Sequence, residues 1–233
     1  MKFPETLVHG RLLRRYKRFL ADVELDDRKV VIAHCANTGS MTGLAEPGSE
    51  VWLSRARNPA RKLKYSWELV AADGDLVGIN TGLPNALVEE AIRAGKVPEL
   101  TGYEGLRREV RYGQNSRIDI LLEDGARPPC YLEVKNVHLM RNPRMAEFPD
   151  AVTRRGAKHL AELAEVAGAG GRAVMFYLVQ RTDCTYLKIA ADIDPDYDDA
   201  LRAAVDRGVE ALCYSCRISP TAIELDRRLP LVL

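Results

Sequence analysis

Three ionisable side chains interrupt two neighbouring apolar segments of the sequence. Asp119 lies within the apolar run 118–122, and Glu133 and Lys135 lie within the run 131–137. Because successive side chains of a strand point to opposite faces, Glu133 and Lys135 share one face. If Asp119 lies across the ladder on that face, two carboxylates and an ammonium group converge at one point. Their burial is costly unless a cation or a substrate compensates the charge.

Two carboxylates and a lysine on adjacent strands can carry out metal-dependent phosphodiester chemistry. Carboxylate oxygens are hard ligands for Mg²⁺ or Mn²⁺, and a bound metal neutralises a scissile phosphate and lowers the pKa of an attacking water. A lysine there can orient or deprotonate the water, or stabilise charge in the transition state. The order of Asp119, then Glu133 and Lys135, after a helix that carries glutamate, resembles the PD-(D/E)XK nuclease superfamily. A simpler interpretation stays open, in which Glu133 and Lys135 are a solvent-facing ion pair on a half-exposed strand.

A helix upstream of these strands could supply a third carboxylate. Apolar residues recur at helical spacing within 86–95, and Asn85 is a candidate N-cap. Glu89 and Glu90 flank the apolar stripe at about equal angles. Periodicity alone therefore does not decide which of them turns toward the strands.

The elements that position this chemistry form an α/β unit, which we expect to span residues 83–233. A polar segment with Gly and Pro joins the two apolar runs, which predicts a hairpin. The nearly continuous apolar run 173–179 is typical of a strand buried on both faces. Further helices are predicted at 153–167 and 195–207, and 140–150 is expected to be irregular. This order predicts a mixed sheet flanked by helices.

Residues 1–82 predict a different kind of domain. Short β-prone runs alternate with polar turns, which favours a small barrel or sandwich, and an OB-like barrel is the leading prediction. The segment holds 13 Lys and Arg, of which ten fall in two stretches without an acid, 11–18 and 55–64. Aromatic residues lie in or beside those stretches at Tyr16, Phe19, Tyr65 and Trp67.

A groove of cations and stacking aromatics is how such barrels hold single-stranded nucleic acid. The candidate contacts are Arg14, Arg15, Tyr16, Lys17, Arg18, Arg61, Lys62 and Lys64. The alternative is a solvated charged face with the aromatics in the core. In the second unit, Arg154 and Lys158 near the start of a helix are further candidates. His159 beside them could contact a phosphate or lie on a surface helix face.

Composition restricts the setting of this chemistry. The 233 residues are 46% hydrophobic with a formal net charge of +1, so a folded globular protein is expected. The sequence contains neither a membrane-length apolar stretch nor the apolar core of a signal peptide at its start, which predicts a cytoplasmic protein without membrane contact. Five scattered cysteines indicate reduced thiols.

Five sequence blocks together resemble the sugar fermentation stimulation protein family of bacteria and archaea. These blocks are 14–23, 34–41, 116–119, 131–137 and 148–160. The resemblance implies an N-terminal OB-like domain, a C-terminal nuclease-like domain, DNA rather than RNA as the partner, binding with little sequence preference, and a regulatory role in sugar (maltose) utilisation.

The resemblance also assigns residues. Asp119, Glu133 and Lys135 match the nuclease motif, and Glu90 is a better match than Glu89 for the helix carboxylate. Asp119, Glu133 and Glu90 are therefore the candidate ligands of Mg²⁺ or Mn²⁺, and these three and Lys135 are the candidate catalytic residues. Ile118 stands where the motif has proline. DNA binding is the leading prediction, an active metal-dependent nuclease of DNA or RNA is the alternative, and a nuclease fold kept only as a scaffold is the third.

Overall fold

The computed structural model describes residues 1–113 and 115–233. Its helices are α1 (Pro84–Arg93), α2 (Arg154–Gly168) and α3 (Pro195–Asp206), with a short 3₁₀ turn at Pro98–Leu100. Its strands are β1 (Val8–Tyr16), β2 (Leu20–Leu25), β3 (Val30–Cys35), β4 (Glu50–Arg55), β5 (Tyr65–Ala72), β6 (Asp75–Gly78), β7 (Gly105–Tyr112), β8 (Ser116–Glu123), β9 (Cys130–Val137), β10 (Leu139–Asn142), β11 (Met145–Phe148), β12 (Arg172–Val179), β13 (Tyr186–Ile189), β14 (Glu210–Ser219), β15 (Ala222–Arg228) and β16 (Leu231–Val232). None of the described helices is long and apolar enough to cross a membrane.

The first six strands form one sheet in the order β3-β2-β1-β4-β5-β6, and β3 also pairs with β5. That extra pairing closes β1 to β5 into a five-stranded barrel, which confirms the OB-like prediction. Alternate residues of β2, β3 and β4 are buried, because alternate side chains point into the barrel. Trp67 is fully buried and its indole N–H donates to the Leu69 carbonyl at 2.8 Å. Trp67 is therefore a core residue, as the alternative interpretation of the aromatics held.

The second unit is built on a six-stranded sheet in the order β15-β14-β12-β9-β8-β7. Strand β12 runs parallel to β9 and β14, whereas the other pairs are antiparallel, so the predicted mixed sheet is confirmed. Phe176 and Leu178 of β12 enter the core on the α1 side, and Met175 and Tyr177 enter the core beneath α2 and α3. The predicted hairpin is β8 and β9.

Some local predictions are wrong. The stretch expected to be irregular contains β10 and β11, which join β13 and β16 in a second sheet. Charged side chains hid these strands, because Glu147 is buried in an ion pair with Arg141 at 2.6 Å. Asn85 is not the N-cap of α1. The helix begins at Pro84, two residues before the predicted start at 86, and Leu83 holds the cap position.

Polar contacts join the barrel to the second unit. The Gly78 N–H donates to the Gln180 carbonyl at 2.9 Å. Arg181, which is 1% exposed, bridges Asp73 of the barrel at 2.8 Å and Asp183 of the second unit at 2.6 Å. The barrel is therefore held against the loop that follows β12. A domain division at 82/83 stays a prediction.

Candidate functional site

Asp119 lies where the β8 and β9 strands separate. The two strands pair through 120–122, and the same register would place Asp119 opposite Glu133. Instead, the Asp119 carboxylate accepts the Val134 backbone N–H at 2.8 Å through Oδ2. Its Oδ1 accepts from the Asn85 side-chain amide at 2.8 Å. Asp119 is therefore held between the sheet and α1 by two donors.

Glu133 and Lys135 share the face of β9 that α2 covers. The Lys135 Nζ donates to Glu133 Oε1 at 2.8 Å, and His159 Nδ1 contacts the same oxygen. Arg155 Nε donates to His159 Nε2 at 3.2 Å. With Nε2 as acceptor, the imidazole carries its proton on Nδ1 and donates it to Glu133.

The solvent-facing interpretation of the Glu133 and Lys135 pair does not fit this burial. Glu133 is 3% exposed and the Lys135 side chain 16% exposed. Such buried charges need good partners to offset their lost hydration. The partners of Glu133 come from two elements, β9 and α2.

The pKa values of the two carboxylates of the site are shifted in opposite directions. Burial, reinforced by repulsion from Glu133, raises the pKa of Asp119, although Val134, Asn85 and Lys135 oppose the rise. Burial also acts to raise the pKa of Glu133, but the hydrogen bond from His159 and the charge of Lys135 outweigh it, so that this pKa lies below its usual range. Neighbouring acids with divergent pKa values are characteristic of functional sites.

A divalent cation fits these residues. Glu133 Oε2 is buried and makes no hydrogen bond with any described residue. Asp119 and Glu133 offer the hard oxygen atoms that Mg²⁺ or Mn²⁺ prefer, and Mg²⁺ is commonly held by one or two carboxylates while it keeps several waters. Among residues 1–113 and 115–233, no three His, Cys, Asp or Glu side chains are already grouped around one ion-sized position. The fit is therefore to a cation that completes its shell with water or phosphate.

Glu90 is not brought to this site. Its carboxylate pairs with the Met1 ammonium at 2.6 Å and is 56% exposed. Glu90 follows Asn85 by five positions, which is about 140° around the helix axis, so it points away from Asp119. Glu89 is closer in angle to Asn85 but pairs with Arg93 at 2.9 Å. Asn85 is thus the α1 residue that contacts Asp119.

The barrel cations divide into engaged and exposed groups. Arg14 pairs with Asp22 at 2.7 Å and lies over the Tyr16 ring at 4.9 Å. The Tyr16 hydroxyl donates to the same carboxylate at 3.0 Å. Arg14 and Tyr16 therefore form one cluster with Asp22 on the outer face of the barrel.

Arg15 has a structural role in the barrel. Its Nη2 donates to the carbonyls of Arg18 at 2.9 Å and of Asn37 and Gly39 at 3.0 Å. Arg18 in turn donates to the Thr38 carbonyl at 3.1 Å. These bonds hold the loop 36–41, which we call the barrel loop.

The barrel loop lies between the starts of the two helices that cover the site. Thr81, just before α1, donates to the Ala36 carbonyl at 2.6 Å. On the other side, Ser40 donates to the backbone carbonyl of Asp150 at 3.3 Å. The nearby imidazole of His138, whose Nε2 lies 3.6 Å from Asp150 Oδ2, lowers the pKa of Asp150 beside the loop. The barrel loop therefore connects the barrel to the site.

The remaining predicted contacts lie at the surface. Lys17, Lys62 and Lys64 are exposed, and Lys64 also donates to the Pro59 carbonyl. Arg61 is half-buried beside His34, whose pKa is lowered by burial and by that nearby guanidinium. On α2, Arg154 and Lys158 are exposed, and Lys158 Nζ lies 3.6 Å from Glu162 Oε1.

Sequence reasoning named two residues of the site but gave them other roles. Asn85 was interpreted as a cap because Asn is common at helix starts, and nothing local linked it to Asp119. His159 lies at the edge of the apolar stripe of α2, where helical periodicity leaves its direction undecided. Its burial at 4% exposure resolves that ambiguity.

Comparison with known proteins gives the family. Residues 82–222 match the model described as "Sugar fermentation stimulation protein RE domain", and residues 13–79 match "SfsA N-terminal OB domain". A sugar fermentation stimulation protein homolog of Maricaulis maris is 61% identical over 227 residues, which are 97% of each chain. A homolog of Rhodospirillum centenum is also 61% identical, over 231 residues that cover 99% of each chain.

A solved structure agrees with these matches. The structure described as "The structure of Pyrococcus Furiosus SfsA in complex with Ca2+" has a TM-score of 0.89 and 26% sequence identity. The match covers 100% of this chain and 98% of that one. An OB-like barrel followed by a unit with a mixed sheet and flanking helices is thus the shared architecture. The chain belongs to the sugar fermentation stimulation protein family.

Proposed function

We propose that this protein binds DNA with little sequence preference and presents a backbone phosphate to a metal-dependent site at Asp119, Glu133 and Lys135. The observation that carries the proposal is the convergence of these three side chains where β8 and β9 separate, beside a barrel loop that connects the site to the cationic barrel. DNA binding of this kind is also compatible with the regulatory role in sugar utilisation that the family resemblance implies.

Exposed cations on both units, with the half-buried Arg61, support a nucleic-acid partner. We call Lys17, Arg18, Arg61, Lys62 and Lys64 the barrel cation surface. Cations that contact phosphates bind nucleic acid with little dependence on sequence, since the backbone carries the same charge at every position. Arg154 and Lys158 extend the positive charge to the start of α2. The preference for DNA over RNA rests on the family resemblance.

Asp119 and Glu133 would hold the Mg²⁺ or Mn²⁺ ion, and the Ca²⁺ described for the Pyrococcus furiosus protein supports a divalent cation. Such an ion neutralises phosphate charge and lowers the pKa of a bound water. The protein contributes orientation. Asn85 and the Val134 N–H hold Asp119, and His159 holds Glu133.

Hydrolysis of phosphodiester bonds is the second candidate function. It is favoured by the placement of Lys135, whose Nζ lies 2.8 Å from Glu133 and retains donors for a water or a phosphate oxygen. An ion-binding scaffold without catalysis does not require an ammonium at that position. Binding alone and binding followed by cleavage therefore differ in what Lys135 does.

The binding proposal is tested by fluorescence anisotropy of labelled DNA over a range of salt. Replacing Lys17, Lys62 and Lys64 by Gln should lower the slope of log K against log salt by about 2–3, because each phosphate contact contributes roughly 0.9. Lys29→Gln, an exposed barrel lysine outside the barrel cation surface, is the control. Salt-insensitive binding, or an unchanged slope in the triple variant, contradicts the proposal.

The hydrolysis candidate is tested on single- and double-stranded DNA and RNA with Mg²⁺, Mn²⁺ or EDTA. Asp119→Asn and Lys135→Gln should each reduce metal-dependent cleavage by about 10²–10⁴-fold, the range expected for a catalytic group. Glu90→Gln should leave cleavage unchanged, since Glu90 pairs with Met1 away from the site. Activity that survives the Asp119 and Lys135 changes would exclude this site as its origin.

A further inference from the structure

A second group of buried oxygen atoms lies beside the Glu133 carboxylate. Tyr112 at the end of β7 is 9% exposed and Glu162 on α2 is 6% exposed. The Tyr112 hydroxyl, both Glu162 carboxylate oxygens and Glu133 Oε2 make no hydrogen bond with any residue of the described ranges. Buried polar atoms in folded proteins are almost always hydrogen-bonded, so four buried oxygens without a hydrogen bond in one region indicate an additional partner.

The backbone brings Tyr112 and Glu162 together. Gly113 follows Tyr112, and a Cβ added at Gly113 would lie 3.1 Å from the Glu162 Cδ atom. The Glu162 carboxylate therefore packs directly on the turn that ends β7. The Tyr112 ring lies 5.8 Å from the ring of Tyr131, on β9.

Glu133 belongs to the same region. It lies two residues after Tyr131 and therefore on the same face of β9. On α2, His159 contacts Glu133 and Glu162 follows one turn later on the same side of the helix. Both carboxylates are thus covered by one face of α2.

The pKa of Tyr112 is consistent with carboxylates close to its hydroxyl. Burial raises the pKa of Tyr112, and repulsion from Glu133, Glu162 and Asp119 raises it further. Three carboxylates therefore act on one hydroxyl. Lys158 lies 3.6 Å from Glu162 Oε1 but its side chain is 53% exposed, so it compensates a buried carboxylate only in part.

We propose that Glu162 and Glu133 Oε2 hold a second divalent cation, Mg²⁺ or Mn²⁺, with the Tyr112 hydroxyl bound to a water of its shell. The inference deepens the proposed function and rests on it for the first ion, at Asp119 and Glu133. Two carboxylates and several waters are an ordinary Mg²⁺ environment. Paired ions that share a carboxylate are typical of enzymes that displace phosphate esters.

The test is Mn²⁺ titration of the full chain after EDTA treatment, followed by calorimetry and by electron paramagnetic resonance. We expect two ions on the native protein, one on Glu162→Gln, and two on Glu165→Gln, an exposed residue of the same helix. Tyr112→Phe should weaken the second ion about tenfold, as the loss of an outer hydrogen-bond partner does.

The outcomes separate the two proposals. If Glu162→Gln binds Mn²⁺ with native stoichiometry and affinity, or if the native protein binds a single ion that only Asp119→Asn removes, the second site is wrong and the first stands. If the native protein binds no Mn²⁺, the metal-dependent part of the proposed function fails as well.

Discussion

The barrel surface and the β8–β9 site use the same kinds of charged side chain in different ways. On the barrel, Arg14 pairs with one acid and Arg15 binds backbone carbonyls, while Lys17 and Lys62 are exposed. In the site, buried groups act on one another, so that the pKa of Asp119 is raised and that of Glu133 is lowered. A charge in solvent is screened and nearly independent of its neighbours, whereas a buried charge depends on every partner.

This difference changes what a substitution measures. Removing an exposed lysine reports on a partner outside the protein, because little inside the protein depends on it. Removing a buried member of the site reports on the other members. Replacing Arg15 would likewise report on contacts within the protein, because Arg15 binds backbone carbonyls of the barrel loop. Its position within a run of cations had suggested a contact with an outside partner.

The largest expected effect on stability separates Arg15 from the other barrel cations. Arg15→Ala should lower the free energy of unfolding by about 2–4 kcal/mol, because three backbone carbonyls, two of them in the barrel loop, lose a charged donor. The control is Arg11→Ala, whose side chain is 62% exposed and pairs with Glu50, and which should cost at most about 1 kcal/mol. Urea unfolding measures both. If the two changes lower the free energy of unfolding equally, Arg15 has no special structural role and is available to contact phosphate.

The second prediction concerns the partner of Glu133 in the site. His159→Ala should weaken Mn²⁺ binding about 10–100-fold, the effect expected when a residue that orients a metal ligand is lost. Calorimetric titration measures this change, with Glu165→Gln as the control on the same helix. Native affinity in the His159 variant would mean that Glu133 is oriented by Lys135 alone.

The third prediction is that replacing Asp119 and replacing Glu133 change the pH dependence of stability in opposite directions. The raised pKa of Asp119 means that its ionisation costs stability as pH rises above the unfolded value of about 3.9. In EDTA, the stability of Asp119→Asn relative to the native protein should therefore rise as pH increases from about 4 to 7.

For Glu133 the sign reverses. Its lowered pKa contributes stability that is present above the unfolded value of about 4.3 and is lost as pH falls through the folded value. Glu133→Gln should accordingly be less stable than the native protein at pH 7 and approach it in acid. Urea unfolding at pH 7 and pH 4 measures both variants. If the stability of both variants, relative to the native protein, changes in the same direction between pH 7 and pH 4, the pKa values of the two carboxylates are not shifted in opposite directions.

The smallest effects are expected at single exposed cations. Lys62→Gln on the barrel and Arg154→Gln at the start of α2 should each reduce the salt slope of DNA binding by about 1 and leave stability within about 0.5 kcal/mol. Anisotropy titrations at several salt concentrations measure the slope. A change for Lys62 but not for Arg154 would confine the DNA contact to the barrel.

The residues that could be predicted from sequence share a physical basis in local periodicity. Alternation placed Glu133 and Lys135 on one face of a strand, and the turn-rich β-prone runs of residues 1–82 predicted the barrel. These signals depend on neighbours along the chain. They survive in the structure because strands and helices repeat at fixed spacings.

The residues that could not be predicted depend on contacts between distant elements. Local pattern placed Glu89 and Glu90 equally well, but the rotation of α1 is set by its packing on the sheet, which brings Asn85 to Asp119 and leaves Glu90 with Met1. Strands β10 and β11 were hidden because the burial of Glu147 requires Arg141 as a partner.

The sequence by itself determined the fold class, the hairpin and the face of β9 that carries Glu133 and Lys135. Only the tertiary structure decided which element covers that face. It placed His159 against Glu133 and committed Arg15 to the barrel loop. The physical reason is that periodicity specifies the direction of a side chain relative to its own element, whereas its partner is selected by how the elements pack.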